Sequence, residues 1–340
     1  MNIERSYAGV FEKKHFSPYA QLSTDTRGRV IWEDNCLVRS PYQRDRDRII
    51  HCGFFRKLKG KTQVFIVKED TFRTRLTHTL EVSQIARTIA RALGLNEDLV
   101  EAIALGHDLG HTCFGHSGEE ILKQITGYFK HNEQSLRVVE KLERNGQGLN
   151  LTYEVRDGIL NHTGTGIPIT MEGKLVKVVD RITYLCHDIE DSINGKILCK
   201  DDIPKDILTI LGKTHSKRVN TFVQDIINET RKMLQKGSEP QIYQSETLYN
   251  TMITLRTFMF ERVYDGELCF REKEKATYIV EFLFQYFIKN PKKMPQLYQE
   301  IYQKEGSLRA VADYIAACTD DDAIKLFQHK VIPSPKFFSL

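Results

Sequence analysis

The sequence predicts an all-α fold, with one short β-hairpin and an additional helical region at the C-terminal end. Apolar residues recur at helical spacing along most of the chain, and capping residues bound the clearest of these segments. Only residues 62–67 have the composition of a strand, which we take as half of a small hairpin. With 340 residues, 41% of them hydrophobic, the chain is long enough for one large domain or two tightly joined ones.

The clearest helix signal begins near Leu76. Its apolar positions are spaced four or five residues apart and comprise Leu76, Leu80, Ile85, Ile89 and Leu93. Gly94 then stands where a C-cap is expected, and His78 lies at the start of this helix, off the apolar stripe. Asn96 is typical of an N-cap for a second helix. The buried face of that helix is assigned to Leu99, Val100, Ile103 and Ala104.

A third helix is predicted from about residue 174 to residue 193. Its buried side consists of Leu175, Val178, Val179, Ile182, Leu185 and Ile189. Asp180, Tyr184 and Asp188 follow one another at steps of four and form a separate stripe. The runs 203–234 and 245–287 also predict helices. We divide the chain, at a soft boundary, into a catalytic region 1–200 and a C-terminal extension 201–340 packed on it.

The overall composition excludes several classes of protein. The seven cysteines are odd in number and form no CxxC pair, so neither a disulfide framework nor a thiolate zinc site is indicated. A net charge of +4 is too small to argue for nucleic-acid binding by itself. The N-terminus lacks the features of a signal peptide, and no run approaches the roughly 18 apolar residues of a membrane span. We therefore expect a cytoplasmic protein.

The stretch from Gly106 to Glu119 carries the strongest chemical signal, with three of the eleven histidines, two acidic residues and four glycines. A single histidine is most often a satisfied core residue. Several imidazoles beside carboxylates, however, are costly to bury without a metal ion or a proton-transfer role. The adjacent His107 and Asp108 offer one nitrogen and one oxygen to the same cation. His78 and Asp180 are the natural further ligands, and a salt bridge to an arginine is the alternative for Asp180.

The sequence resembles a known family through an ordered set of short segments. These segments are 44–49, 55–65, 73–82, 107–119, 131–135 and 180–184, with weaker matches at 258–264 and 312–316. The ordered residues His78, His107, Asp108 and Asp180 are similar to the HD superfamily signature. The surrounding segments are similar to the dGTPase-like deoxynucleoside triphosphate triphosphohydrolases, and the resemblance covers about residues 19–323. The implied fold is an HD-domain helical core.

This resemblance implies metal-dependent hydrolysis of a deoxynucleoside triphosphate (dNTP), dGTP or a broader set, to the deoxynucleoside and inorganic triphosphate. His78, His107, Asp108 and Asp180 would bind a divalent cation. Mixed imidazole and carboxylate ligands suit Mn²⁺, Mg²⁺, Co²⁺, Ni²⁺ or Fe²⁺ better than a closed structural zinc site. The family also implies a homo-oligomer, often a hexamer, and leaves an allosteric dNTP open.

His116 and Glu119 are three residues apart, so they can face each other on one helical turn. The resemblance places this pair beside the attacking water or the leaving 5′-oxygen, with His111 as a further catalytic histidine. His131 is the implied phosphate contact, although His111 and His131 can instead support the metal ligands. The alternative for Glu119 is a role at the helix N-terminus after Gly118.

Five further residues are expected to contact substrate or to support the site. Arg75 is the implied phosphate contact, because the guanidinium fork suits phosphate oxygens. Tyr184 and Asp188 are implied to contact the sugar, and Gln63 to contact the 3′-hydroxyl. Arg44 is a candidate substrate or scaffold residue. The alternatives are a core aromatic for Tyr184, a strand-surface residue for Gln63 and a solvated charge run for Arg44.

One segment departs from the family pattern. Within residues 319–323, Asp321 and Asp322 stand where the family more usually has an arginine and a tyrosine. A nucleotide or interface role at these two positions is therefore not implied.

Two other functions fit part of the sequence. An HD phosphodiesterase or nucleotidase would explain the four metal ligands, but not Arg75 and the basic N-terminal segments. A nucleotide-sensing or single-stranded nucleic-acid-binding module would use the lysine-rich region 196–236 as its surface. The intact pair of His116 and Glu119 argues for catalysis over binding alone.

Overall fold

The computed structural model describes residues 7–66 and 71–333, most of which are helical. No helix in these ranges has the length and apolarity needed to cross a membrane. The helices are α1 (Tyr7–His15), α2 (Pro41–Ile50), α3 (Gly53–Lys57), α4 (Arg75–Leu93), α5 (Glu97–Gly106), α6 (Gly115–Thr126), α7 (His131–Arg137), α8 (Tyr153–Asn161), α9 (Met171–Asn194), α10 (Lys205–Leu211), α11 (His215–Gln235), α12 (Glu246–Met259), α13 (Glu267–Lys289), α14 (Gln296–Glu305), α15 (Ser307–Ala316) and α16 (Asp320–Val331). Single π-helical turns continue α7 at Val138–Leu142 and α12 at Phe260–Tyr264.

The predicted ends of α4 and α5 are confirmed. Gly94 follows α4 with φ of 69° and ψ of 28°, the left-handed conformation that glycine adopts readily at a helix C-terminus. Asn96 caps α5, because its side chain accepts a hydrogen bond from the backbone N–H of Leu99. The buried face predicted for α5 is also confirmed.

The buried face of α4 differs from the prediction at two positions. Leu80 is 50% exposed, whereas His78 is 1% exposed and lies on the buried face with Ile85. At about 100° per residue, His78 lies within about 20° of Ile85 around the helix axis, and Leu80 lies about 140° away. The five-residue step from Leu80 to Ile85 is too long for both side chains to lie on one face. The buried face instead contains the polar residue His78.

The described residues around Thr62 do not form the predicted β-hairpin. Residues 63 and 64 form bends, residues 65 and 66 have no regular structure, and an isolated antiparallel bridge joins Thr62 to Thr74. Val67 lies outside the described residues. The backbone N–H of Thr62 donates to Asp320, and the carbonyls of Thr62 and Gln63 accept from the guanidinium of Arg75. Side chains thus occupy the backbone groups that a strand ladder would use.

Helices α4, α5, α8 and α9 pack against one another and form the core around the site. The turn after α5 is fixed from α7, since the backbone N–H of Gly110 donates to Oγ of Ser135 at 2.8 Å, and that hydroxyl donates to the carbonyl of His107 at 2.6 Å. A Cβ on Gly110 would lie 2.1 Å from the backbone nitrogen of Ser135. The close approach of α7 to the His107 turn therefore requires glycine at position 110.

The C-terminal helices contact the same region from the other side. Helices α13 and α15 pack against α6. The buried carboxylate of Asp313 on α15 accepts hydrogen bonds from Gln134 and Arg137 of α7. In the segment that departs from the family pattern, Asp322 forms a reciprocal capping box with Thr319 and so starts α16.

Candidate functional site

The four predicted metal ligands meet at one buried place. Helix α4 contributes His78, the end of α5 contributes His107 and Asp108, and α9 contributes Asp180. The Nε2 of His78 lies 3.0 Å from Oδ1 of Asp180 and 3.8 Å from Oδ2 of Asp108. The Nε2 of His107 lies 3.4 Å from Oδ1 of Asp108 and 3.7 Å from Oδ1 of Asp180.

Both imidazoles are oriented from outside this cluster. The Nδ1 of His107 donates to the carbonyl of Ala104 at 2.6 Å, which leaves its buried Nε2 without a hydrogen-bond partner. The Nδ1 of His78 lies 2.9 Å from the Nε2 of His187. His187 was not among the predicted site residues. Its position seven residues after Asp180 places it two turns along the same face of α9, and that spacing was the available signal.

The electrostatic environment favours ionised carboxylates. Burial raises the pKa of Asp108, but the surrounding histidines and Arg75 outweigh burial and hold this pKa well below its usual range. Burial likewise opposes ionisation of Asp180, yet the hydrogen bond from His78 and the nearby His107 lower its pKa overall.

This donor set fits a divalent cation. The ligand atoms of His78, His107 and Asp108 lie within 4.8 Å of one another. The unpartnered nitrogen of His107 next to two anionic carboxylates is an arrangement that a cation would satisfy.

Arg75 lies directly beside the cluster and is only 2% exposed. Its guanidinium donates to the carbonyls of Thr62 and Gln63 at 3.1 and 3.2 Å, and to Oδ2 of Asp108 at 3.0 Å. These three bonds hold the guanidinium in one orientation next to a predicted metal ligand. The buried Oε1 of Gln63 has no hydrogen-bond partner, so this predicted substrate residue is available to bond another group.

A second cluster adjoins the first and contains the predicted catalytic residues. The carboxylate of Glu119 lies 2.9 Å from Nδ1 of His131 and 3.4 Å from Nδ1 of His116. The ring of His111 stacks on that of His131, with centroids 4.0 Å apart, and its Nε2 lies 3.3 Å from Oδ1 of Asp108. The predicted pair of His116 and Glu119 is thus in contact, but Glu119 is held more closely by His131.

The groups of this second cluster differ in their preferred charge. Burial raises the pKa of Glu119, but His131 and His116 outweigh it and hold the pKa below its usual range. Burial lowers the pKa of His131, yet Glu119 raises it overall. The pKa of His111 is well below its usual range because of burial and the neighbouring Arg75. Glu119 thus favours the protonated form of His131, whereas its surroundings favour the neutral form of His111.

His162 stands between the two clusters and was not predicted. Its Nδ1 donates to the carbonyl of Ile159 at 2.7 Å, and its Nε2 lies 3.3 Å from Nε2 of His131. Burial and the nearby His107 lower its pKa to about 3. Like His107, His162 stands at the end of a helix and next to a loop that contains glycines. This shared position was the sequence signal that could have identified it.

The predicted sugar contacts on α9 are already engaged by the C-terminal helices. Asp188 is buried and accepts a hydrogen bond from the hydroxyl of Tyr264 at 2.6 Å. Its other oxygen lies 2.7 Å from Nδ1 of His187 but is not aligned for a hydrogen bond. Tyr184 is half-buried near the guanidinium of Arg256, and burial raises its pKa. Tyr264 and Arg256 therefore join the residues around the site, although neither was predicted as a site residue.

The observed contacts of Arg44 lie outside both histidine clusters. Its guanidinium donates to the carbonyl of Asp34 at 2.8 Å and to the carboxylate of Glu33 at 2.7 Å. Arg44 thus ties α2 to the preceding loop, and its predicted part in substrate binding stays a prediction.

A cavity of about 400 Å³ lies next to the second cluster. Its walls include Glu119, His131 and the loop 163–166. The cavity offers room for a ligand beside the histidines.

Comparison with known protein families matches two segments of this chain. The HD domain matches residues 75–185, which contain all four predicted metal ligands, and the phosphohydrolase-associated domain matches residues 242–329. Among solved structures, a hypothetical protein from Aquifex aeolicus aligns with 85% of this chain and 71% of its own, at 18% identity and a TM-score of 0.44.

Similar proteins match along almost the whole chain. A deoxyguanosinetriphosphate triphosphohydrolase-like protein of Caldanaerobacter subterraneus subsp. tengcongensis is 54% identical, over 98% of this chain and 97% of its own length. A protein of the same description from Clostridium tetani is 46% identical, over 95% of this chain and 94% of its own. The chain therefore belongs to the deoxyguanosinetriphosphate triphosphohydrolase-like family, whose HD domain is a metal-dependent phosphohydrolase fold.

Proposed function

We propose that this protein hydrolyses deoxynucleoside triphosphates, dGTP or a broader set, to the deoxynucleoside and inorganic triphosphate. The observation that carries the proposal is the buried guanidinium of Arg75, hydrogen bonded to Asp108 within the cluster of His78, His107, Asp108 and Asp180. A fixed cation next to a metal centre suits a highly charged phosphate substrate. The names of the similar proteins point to the same substrate class.

His78, His107, Asp108 and Asp180 would hold the catalytic divalent cation, of the Mn²⁺, Mg²⁺, Co²⁺, Ni²⁺ or Fe²⁺ class. Bound there, the cation would supply Lewis acidity at the α-phosphate and would lower the pKa of a coordinated water. The protein's own part is to fix these ligands, through the bonds that orient His107 from Ala104 and His78 from His187.

Arg75 and His131 would bind phosphate oxygens from two sides of the cluster. Arg75 needs no reorganisation for this role, because its three hydrogen bonds already fix the guanidinium. Glu119 raises the pKa of His131 and so favours a positive charge near the same place. The neutral, buried His111 beneath it would fix the position of that ring by stacking.

His116 is the group best placed to move a proton. It is 69% exposed toward solvent, and Glu119 lies 3.4 Å from its Nδ1. We expect its Nε2 to donate to the leaving 5′-oxygen, which is a poor leaving group without a proton. Glu119 would keep the ring oriented.

The sugar would lie toward α9. Tyr184 would pack against C2′ and so disfavour a ribose hydroxyl, with Asp188 and Gln63 as the polar contacts. Because Tyr264 already bonds to Asp188, the C-terminal helices would share in forming this pocket. Arg44 would support the site from α2.

We further infer that the chain divides into a catalytic region 1–200 and a C-terminal extension 201–340, and that it assembles as a homo-oligomer in the cytoplasm. Sedimentation velocity of the full-length protein, with and without dNTP, tests the assembly. A monomer under both conditions would contradict it.

The bond that is broken provides the decisive test of the reaction. Purified protein with Mn²⁺ is incubated with each dNTP in ¹⁸O-water. The products are then separated, and their masses are measured by mass spectrometry. We expect deoxynucleoside and intact triphosphate, with the label in triphosphate alone. Pyrophosphate with a deoxynucleoside monophosphate, or label in the nucleoside hydroxyl, would contradict the proposed reaction.

A further inference from the structure

A chain of polar contacts runs from the C-terminal helices to the proposed metal ligand His78. The hydroxyl of Tyr264 donates to Oδ2 of Asp188 at 2.6 Å. The other oxygen of Asp188, Oδ1, lies 2.7 Å from Nδ1 of His187. The Nε2 of His187 in turn lies 2.9 Å from Nδ1 of His78. His78, His187 and Asp188 are each no more than 1% exposed, so their contacts are shielded from water.

The chemistry of His78 sets the direction of the hydrogen bonds in this chain. Its Nε2 faces the carboxylates of Asp108 and Asp180, so this nitrogen must be free to bind a cation. The hydrogen of the neutral imidazole then sits on Nδ1, and His187 accepts it at Nε2. His187 consequently carries its own hydrogen on Nδ1, which faces Asp188.

Asp188 suits the end of this series of donors, because an ionised carboxylate only accepts. Nδ1 of His187 and Oδ1 of Asp188 are both buried and have no hydrogen-bond partner. Their contact is not aligned as a hydrogen bond, but attraction between a carboxylate and a buried N–H group at 2.7 Å needs no strict alignment. Each atom therefore compensates for the burial of the other. The carboxylate keeps lone pairs with which it can also contact a sugar.

Tyr264 reaches this chain from outside the HD domain. It ends the π-helical turn Phe260–Tyr264, within the segment 242–329 that matches the phosphohydrolase-associated domain. Single π-helical turns occur frequently at functional sites. Burial and the nearby Asp188 raise the pKa of Tyr264, so its hydroxyl keeps the hydrogen that it donates. Tyr264 thus fixes one oxygen of the carboxylate and leaves the other to His187.

We propose that His187 and Asp188 position His78 for metal binding, and that Tyr264 couples the C-terminal helices to the affinity for that metal. The inference rests on the metal ligands named in the proposed function, but not on the reaction. A partner that accepts the second ring N–H of a metal-binding histidine fixes the tautomer and orientation of the ring and raises its basicity. Loss of such a partner typically costs about 10- to 100-fold in metal affinity.

Binding of Mn²⁺ in the absence of nucleotide tests this role. Full-length protein is stripped with chelator and titrated with Mn²⁺, and electron paramagnetic resonance measures the Mn²⁺ that stays free. We expect His187→Met to raise the Kd by about 10- to 100-fold, because a thioether is only a weak acceptor. His187→Gln should restore most of the affinity. Its amide oxygen can accept from His78, and its amide N–H₂ can donate to Asp188.

The variant Tyr264→Phe removes only the hydroxyl and tests the far end of the chain. We expect the Kd to rise about tenfold, the lower end of the range for an outer partner, because His187 and Asp188 remain. In the background of His187→Met the same change should add nothing, since the path to His78 is already broken. The matched control Tyr278→Phe changes a tyrosine of α13 that is 63% exposed, and it should leave the Kd unchanged. Circular dichroism checks that each protein is folded.

Three results would overturn the proposal. They are an unchanged Kd in folded His187→Met, an unchanged Kd in folded Tyr264→Phe, and a loss in Tyr264→Phe that is equally large in the background of His187→Met. A failure of the proposed function gives different results. No Mn²⁺ binding by the unaltered protein would contradict the metal site and the proposal with it, whereas the expected pattern of Kd values without dNTP hydrolysis would contradict the reaction alone.

Discussion

The carboxylate of Asp320, at the first residue of α16, accepts a hydrogen bond from the backbone N–H of Phe114 at 2.7 Å. Phe114 has a φ of 60°, a left-handed conformation that is unfavourable for a residue with a side chain. It immediately precedes α6, which carries His116 and Glu119. Asp320 also accepts from the backbone N–H of Thr62 at 3.0 Å. One residue of the C-terminal helices thus holds both segments that flank the histidine clusters.

We expect Asp320→Asn to lower kcat by about 10- to 100-fold while bound metal is retained, as for other residues that position a site indirectly. The amide oxygen can accept from only one of the two segments, and the amide N–H₂ then faces a backbone donor. Leaving a buried donor unpaired should also cost about 1 to 3 kcal/mol of unfolding free energy. Steady-state kinetics, metal analysis and urea denaturation measure these effects.

The neighbouring exposed Asp321 offers a control on the same helical turn. Asp321→Asn should leave kcat close to that of the unaltered protein. An unchanged kcat in Asp320→Asn would mean that α16 does not position α6 for catalysis.

The clustering of the four candidate metal ligands could be predicted from sequence because these residues stand in local patterns. His107 and Asp108 are adjacent, and Asp180 begins a stripe with a regular step of four. His162, His187 and Asp320 were missed, because their roles arise only when helices distant in sequence approach one another. Asp320, for example, accepts a hydrogen bond from the backbone N–H of Phe114, which is 206 residues away in the sequence.

The errors at Leu80 and at residues 62–66 have the same origin. Apolar spacing assigned Leu80 to the core, but the face of α4 that packs on α5 and α9 is the one that carries His78. The composition of residues 62–66 favours a strand, yet Asp320 and Arg75 take up their backbone hydrogen bonds. In both places the functional site overrides local preference.

Removal of a predicted ligand should abolish metal binding by the cluster of His78, His107, Asp108 and Asp180. For His107→Ala or Asp108→Ala we expect loss of bound metal and a fall in activity greater than the roughly 10- to 100-fold cost of losing an outer partner. Most helical content should persist, because the core of α4, α5, α8 and α9 is apolar. Metal analysis and circular dichroism measure the two effects. Full activity in a metal-free variant would contradict the assignment of the site.

Arg75 should contribute mainly to binding of the triphosphate. We expect Arg75→Ala to raise KM strongly for dNTPs, because a buried, fixed guanidinium beside Asp108 is lost. Since Arg75 also bonds to this predicted ligand, metal occupancy is measured in parallel and restored with excess Mn²⁺. An unchanged KM at full occupancy would place the phosphate site elsewhere.

Glu172 should give the stability of the fold its own dependence on pH. Its carboxylate accepts from the backbone N–H groups of Asn96 and Gln21, and burial raises its pKa from 4.5 to about 7. The folded state therefore binds this proton more tightly than the unfolded chain. The resulting stabilisation is full below the unfolded pKa and is lost as the pH rises through the folded one.

Relative to Glu172→Gln, the unaltered protein should lose about 2 to 3 kcal/mol of unfolding free energy between about pH 5 and about pH 8. Urea denaturation at closely spaced pH values measures the difference between the two proteins. The nearby Glu12 is present in both, so this difference reports on Glu172. Parallel pH profiles would contradict the prediction.

His116 should act on the chemical step and not on binding. We expect His116→Ala to lower kcat for dGTP by about 10²- to 10⁴-fold, because the leaving 5′-oxygen then lacks a positioned proton donor. KM and bound metal should change little, since the ring is exposed and lies outside the four predicted ligands. An analogue with sulfur at the 5′ position provides the control, because a thiolate leaves without a proton. The variant should hydrolyse this analogue nearly as fast as the unaltered protein, and an equal loss with both substrates would exclude His116 as the proton donor.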